Sequence, residues 1–254
     1  MSGKTSNPIA VPHLLLAFFL IGAIWQAASM ALNKPLLPAP YRVCQTWYTL
    51  MTTGVLWPHI ASSLYRMICG LALALALVTA VPVGMAAGRS RRWDALLSPF
   101  LYIFYSIPKV VFLPVIIVVL GLGDFPKIFI IAITVFFQIA IMVRDAAKAI
   151  PEEQVMTMRS LCGTKWQDFR HLIWPACLPG ILTALRTSLG IALALLFITE
   201  TFAAFSGLGY FIMNRMEVRN YEEMYAAILT LAAIGIIAYM ALDIAERKLC
   251  PWKK

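Results

Sequence analysis

The sequence is short of charge. Only 13% of its 254 residues are Asp, Glu, Lys or Arg, about half the share of an ordinary soluble domain, while 61% are hydrophobic. One soluble core of this length cannot hide so much apolar surface. That excludes a cytosolic enzyme, a secreted disulfide scaffold and a disordered tail. Cysteine is scattered over Cys44, Cys69, Cys162, Cys177 and Cys250 with no CxxC pair, so neither a disulfide framework nor a zinc site is indicated. None of the three histidines has a second His or Cys at metal-ligand spacing. No GxSxG is present. Gly3-Lys4-Thr5 resembles the end of a phosphate loop but lacks its first Gly and a preceding strand. No catalytic constellation, cofactor or ATP-hydrolysing site is therefore expected.

Long apolar runs are what the chain has. Six stretches reach the roughly 20 residues a membrane helix needs: about 12–32, 64–88, 96–121, 127–146, 179–204 and 224–245. The third is interrupted by Pro108 and Pro114. No alternating strand pattern accompanies them, so each must satisfy its backbone helically. The expected class is an all-α polytopic membrane protein of about six spans, with residues 1–254 as one transmembrane domain in a lipid bilayer.

The net charge is +9, from 21 Lys+Arg against 12 Asp+Glu. In a membrane protein this excess orients the spans rather than marking nucleic acid. With both termini in the cytoplasm, the inner segments hold Lys4, Arg89, Arg91, Arg92, Arg144, Lys148, Arg159, Lys165, Arg170, Arg247, Lys248, Lys253 and Lys254, and the outer ones Lys34, Arg42, Lys127, Arg215 and Arg219. Thirteen against five selects that orientation. Arg66, Lys109 and Arg186 lie near span ends or breaks.

One inner segment, about 147–178, is too polar to span and too patterned to be a linker. Val155, Met158, Leu161 and Cys162 recur at helical spacing, as do Trp166, Phe169 and Ile173. Gly163 falls between the runs and is placed to end the first. Two short surface helices are expected, resting on lipid headgroups or docking a cytoplasmic partner. Within the spans, Glu200 is the one carboxylate deep in an apolar run. Such a group either forms a structural ion pair or lines a pathway. Gln138, Thr187, Ser188, Tyr105, Ser106 and Lys109 are further polar candidates, with helix–helix hydrogen bonding as the alternative. Gly84 and Gly88 form a GxxxG, which predicts close helix packing.

The segment SLCGTKWQDFRHLIWPACLPGILTALR, residues 160–186, resembles the cytoplasmic loop of permease subunits of binding-protein-dependent ABC importers, most closely the nitrate, sulfonate and taurine branch. LLPAP at 36–40, LWPHIASSLYRMICG at 56–70, the stretch GRSRRWDALLSPFLYIFYSIPKVVFLPVIIVVLGLG and ITETFAAFSGLGYFI at 198–212 resemble the same branch in order and spacing, with Glu200 at the family's Glu. The resemblance implies a MetI-like permease fold in the bacterial inner membrane. It also implies a homodimer around a central path, a cytoplasmic ATPase dimer that hydrolyses ATP, and an extracytoplasmic solute-binding protein. The coupling residues it implies are Met156, Thr157, Met158, Arg159, Ser160, Leu161, Cys162, Gly163, Trp166, Phe169, Pro175 and Pro179. By branch, the solute is a sulfonate-, taurine- or nitrate-like anion. Pro175 and Pro179 would stiffen the return into the fifth span.

The chain departs from the family pattern. Met156, Thr157 and Met158 stand where the pattern has Glu-Ala-Ala, and Cys162 stands at its Gly, with Gly163 one place late. These changes imply a correspondingly altered groove on the ATPase, or weaker coupling. A self-sufficient channel or secondary transporter would need ion-coupling residues in broken helices, for which only Glu200 and the Pro108 break are available. An intramembrane enzyme would need a convergent nucleophile and base, which the sequence does not offer.

Overall fold

The computed structural model describes residues 11–76, 80–161 and 164–253, and the described residues contain no strand. The helices, in chain order, are α1 (Val11–Leu32), α2 (Pro40–Thr52), α3 (Trp57–Ala76), α4 (Ala80–Arg89), α5 (Arg91–Ser106), α6 (Leu113–Leu120), α7 (Phe125–Lys148), α8 (Glu152–Ser160), α9 (Lys165–Asp168), α10 (Trp174–Thr201), α11 (Leu208–Glu217) and α12 (Tyr221–Leu249). A 3₁₀ segment, Lys109–Phe112, precedes α6, and a π-helical turn, Phe169–Ile173, precedes α10.

By length and composition, three helical stretches among the described residues can cross a bilayer: Phe125–Lys148, Trp166–Thr201 and Tyr221–Leu249. A fourth is the pair Arg91–Ser106 and Lys109–Leu120, bent by 71°. The bend falls at Ile107-Pro108, where Pro108 lacks an N–H and pushes Ile107 to extended backbone (ψ 125). The expected first span is α1, apolar over Phe19–Leu32. The expected second span is α3 and α4, which flank three residues outside the described set.

The structure corrects the surface segment between the fourth and fifth spans. α7 continues to Lys148 and α10 begins at Trp174, so the second expected short helix is not separate. α9 runs through the π-helical turn into α10 as one helical stretch. Pro175 supplies the reason. It cannot donate to the carbonyl four residues back and its ring would strike that carbonyl. The ladder widens instead, with the Trp174 N–H reaching the Phe169 carbonyl. Pro175 and Pro179 therefore lie inside this helix, not in a stiff return loop. Gly163, the expected stop of the first short helix, lies outside the described residues.

The chain divides into two compact units, Met1–Trp57 with Phe211–Leu229, and Pro58–Tyr210 with Thr230–Lys254. In the smaller, the turn after α1 is tied by Trp25 Nε1 to the Pro38 carbonyl (3.1 Å) and Ser29 Oγ to the Leu37 carbonyl (2.9 Å). Arg215 pairs with Glu223 at 2.8 Å, and Val43, Leu50 and Leu56 are buried.

The larger unit is organised by α7, whose Ile130, Ile131, Ala132, Val135, Ile139, Ala140, Val143 and Ala147 are buried. α4 and α10 make its most extensive contacts. In lipid there is little hydrophobic drive between helices, so close contact of small residues must supply the packing. Here glycines from three helices meet α7. A Cβ on Gly70 would lie 2.7 Å from the Ile131 side chain, one on Gly84 2.6 Å from the Ala140 carbonyl, one on Gly88 2.5 Å from the Arg144 carbonyl, and one on Gly180 2.6 Å from Ala146 Cβ. α7 is thus the mate of the Gly84/Gly88 pair.

Candidate functional site

α8 is the first element of interest. Nine residues long, it stands between the two helices that contribute most to the larger unit's core. Its inward face is Val155 and Met158, half-buried; Val155 packs at the core margin with Phe169, Leu172 and Ile173. Its outward face is largely polar, with Glu152, Glu153, Gln154, Thr157 and Ser160 exposed, and carries a few large apolar side chains. Met156 is 59% exposed and Leu161, just beyond the helix, 72% exposed. Thr157 and Ser160 are exposed, and each returns its hydroxyl to the carbonyl four residues back. Arg159 lies in α8, but its side chain, like Cys162 and Gly163, lies outside the described residues. The next turn opens with a reciprocal cap. The Thr164 N–H donates to Gln167 Oε1 (2.7 Å), and the Gln167 N–H faces Thr164 Oγ1 (3.4 Å). Trp166, 66% exposed, stacks on Phe169 at 5.6 Å, and Phe169 lies 6.2 Å from the ring of Trp174 at the start of α10. Exposed Trp166 is thus joined through aromatic contacts to the base of a spanning helix.

The helix break after α5 forms the second element. A cleft of about 390 Å³ is lined by Tyr105, Ser106, Lys109, Thr134, Gln138 and Leu195, among others. Three path candidates, Tyr105, Ser106 and Gln138, therefore share one cavity. Thr187 and Ser188 do not line it. Thr187 is exposed and bonded to the Thr183 carbonyl and Met142 sulfur, and Ser188 is fully buried with its hydroxyl unpaired.

Glu200 also lies elsewhere. It is 0% exposed and held by three donors: the Ser63 hydroxyl, placed between its two oxygens (2.8 and 2.9 Å), Arg66 Nη1 (2.7 Å) and the Gly209 N–H (2.8 Å). Arg66, 3% exposed, also binds Asp124 at 2.7 Å and the carbonyl and hydroxyl of Ser206 at 2.7 and 2.9 Å. Gly207 crosses this cluster at φ +112, where a Cβ would strike the Glu200 carboxyl. A second cluster lies 20 residues further along α7, about 30 Å by helical rise. There Asp94 accepts from Arg144 (2.6 Å), Lys148 (2.5 Å) and Ser98 (2.6 Å). Sequence reasoning left Arg66 unassigned and missed Ser63, Asp124 and Asp94. The available signal was that a carboxylate buried in an apolar span demands a cation at matching depth.

Over residues 80–251 the chain matches the family described as "Binding-protein-dependent transport system inner membrane component". It is 30% identical over 239 residues to the taurine transport system permease protein TauC of Escherichia coli, covering 92% of this chain and 86% of that one. It is likewise 30% identical over 243 residues to the putative aliphatic sulfonates transport permease protein SsuC of Bacillus subtilis, covering 94% and 87%. Among solved structures, a chain of the inward-facing MetNI methionine ABC transporter superposes with a TM-score of 0.64 at 20% identity, over 77% of this chain and 98% of that one, which shows the shared fold. The all-α fold, the apolar spans and these similarities lead to one assignment: the chain belongs to the family of inner-membrane permease components of binding-protein-dependent ABC importers.

Proposed function

We propose that this chain, as a single permease domain, pairs with a second copy to form the path of an importer for a small sulfonate-type anion. ATP is hydrolysed on a separate cytoplasmic ATPase dimer, and an extracytoplasmic binding protein delivers the solute. Both termini face the cytoplasm, as the distribution of Lys and Arg between the loops favours. The solute class follows the relatives named for taurine and aliphatic sulfonates.

The observation that carries this reading is α8 with the turn after it. Met156, Leu161 and Trp166 present large apolar side chains outward while Val155 and Phe169 pack inward. A partner seated on Met156, Leu161 and Trp166 would push through Phe169 and Trp174 into α10. The close glycine contacts around α7 favour rigid helices that shift as packed bodies, the requirement for switching between two discrete arrangements. The coupling residues Met156 to Gly163, with Trp166, Phe169, Pro175 and Pro179, would act together in that transfer. The departures from Glu-Ala-Ala predict a partner groove that accepts methionine.

The test is reconstitution of the permease with its ATPase and binding protein in vesicles. Taurine or alkanesulfonate uptake that requires all three components and ATP is expected. Uptake by the permease alone without ATP would overturn the proposal in favour of a channel.

A further inference from the structure

Lys109 stands out among the buried bases. It is 9% exposed at the helix break, and its Nζ donates to one carbonyl, that of Tyr105, at 3.2 Å. The ammonium otherwise faces aromatic rings, 5.0 Å from the Phe137 centroid and 5.9 Å from that of Tyr105. Arg66, Arg144 and Arg186 all hold carboxylates; buried Lys127 makes no ion pair either, but it donates to two carbonyls, those of Gly123 and Ala203, and lies within electrostatic reach of Asp124 and Glu200. No ion pair among the described residues includes Lys109.

A cation in an apolar bundle is costly, and such groups face interiors or aqueous cavities and pair with an opposite charge. One carbonyl and two ring faces compensate it only in part. Lys109 lines the 390 Å³ cleft, a volume in the range of small-molecule sites. Gln138 lines the same cleft with its Oε1 buried and unpaired. Oxygen and nitrogen of such an amide exchange by a flip, so Gln138 can turn its NH₂ toward a ligand. Ser106 and Tyr105 complete a polar rim over the apolar floor of Ile191 and Leu195.

We infer that the cleft at the α5 break is an anion-binding station on the transport path, with Lys109 as its counter-charge and Gln138 and Ser106 as neutral hydrogen-bonding groups. This rests on the permease reading and deepens it. The permease would select the anionic group of the solute at this position, beyond whatever the binding protein selects. The shared ligand chemistry is a singly charged oxyanion, and it could arrive as a free sulfonate or as a lipid phosphate.

The test does not depend on ATP coupling, so its failure is distinguishable from failure of the proposed function. In the full-length chain with native cysteines replaced by Ala, Ser106→Cys is labelled by an anionic and by a cationic methanethiosulfonate reagent, and the ratio of rates is compared with that at an exposed reference position, Thr53→Cys, just past the end of α2. A ratio about tenfold higher for the anion at position 106 is expected from a nearby unpaired charge. Lys109→Gln should abolish the preference and Lys109→Arg should keep it. An equal ratio at positions 106 and 53 overturns the inference even if Lys109→Gln does not fold. So does a preference that survives Lys109→Gln, or one lost equally in Lys109→Arg. In phosphatidylcholine vesicles, millimolar ethanesulfonate should protect the thiol introduced at position 106. Protection seen only when phosphatidylglycerol is added would assign the site to lipid and overturn the transport role.

Discussion

Arg66→Leu is the sharpest perturbation of the larger unit. It removes the 2.7 Å partner of a carboxylate that is 0% exposed. Glu200 would keep Ser63 and the Gly209 N–H, which hydrogen-bond the charge without neutralising it. Breaking a buried pair from one side costs about 3–5 kcal/mol, because the remaining charge cannot regain water. The Ser206 carbonyl also loses its guanidinium donor. Asp124 is half-exposed and resolvates, so it adds little. At roughly 2–4 °C per kcal/mol for a chain of this size, thermal unfolding in detergent, followed by tryptophan fluorescence, should fall by about 10 °C. Arg66→Leu/Glu200→Leu should recover most of that loss, since an apolar pair of similar volume needs no compensation. A fall below about 3 °C for Arg66→Leu, or a double variant no more stable than the single, would refute the claim that this pair is held by mutual compensation.

The remaining predictions use the same unit. Gly88→Ala should destabilise by about 1–3 kcal/mol, because the added Cβ meets the Arg144 backbone at 2.5 Å. Gly190→Ala, with nothing within 4 Å, should stabilise by about 0.5–1 kcal/mol; thermal melts read both signs. Asp94→Ala should cost less than Arg66→Leu, about 1–3 kcal/mol in the same melt, because Arg144 keeps Asp145 at 2.9 Å and the Tyr102 hydroxyl at 3.1 Å. Leu161→Asp, at a position 72% exposed, should leave the melt within about 0.5 kcal/mol yet abolish co-purification with the ATPase.

Much of the architecture was legible because lipid imposes a simple rule. A backbone that cannot bond to water must be helical, so apolar run length alone located α7, the α10 span and α12. The break at Pro108 was equally visible, since proline's missing donor is a local property. The π-helical turn before α10 was not. Two prolines read as the stiffened end of a loop, and deciding between a loop and a widened helix needs the geometry of the preceding carbonyls.

Composition and residue order were enough for the membrane class, the candidate docking segment and the family resemblance, because all three are properties of one chain read along its length. Which distant residues meet emerged only from the folded chain. Glu200 and Arg66 are 134 positions apart, and nothing in either neighbourhood names the other. Gly84 and Gly88 announced close packing, but only the fold identified α7 as the helix they receive. Lys109 read as one polar residue at a break until its burial, its single carbonyl partner and the unpaired Gln138 Oε1 were seen in one cleft. Helical periodicity places a side chain on a face, whereas compensation of its charge is a long-range contact that local sequence does not encode.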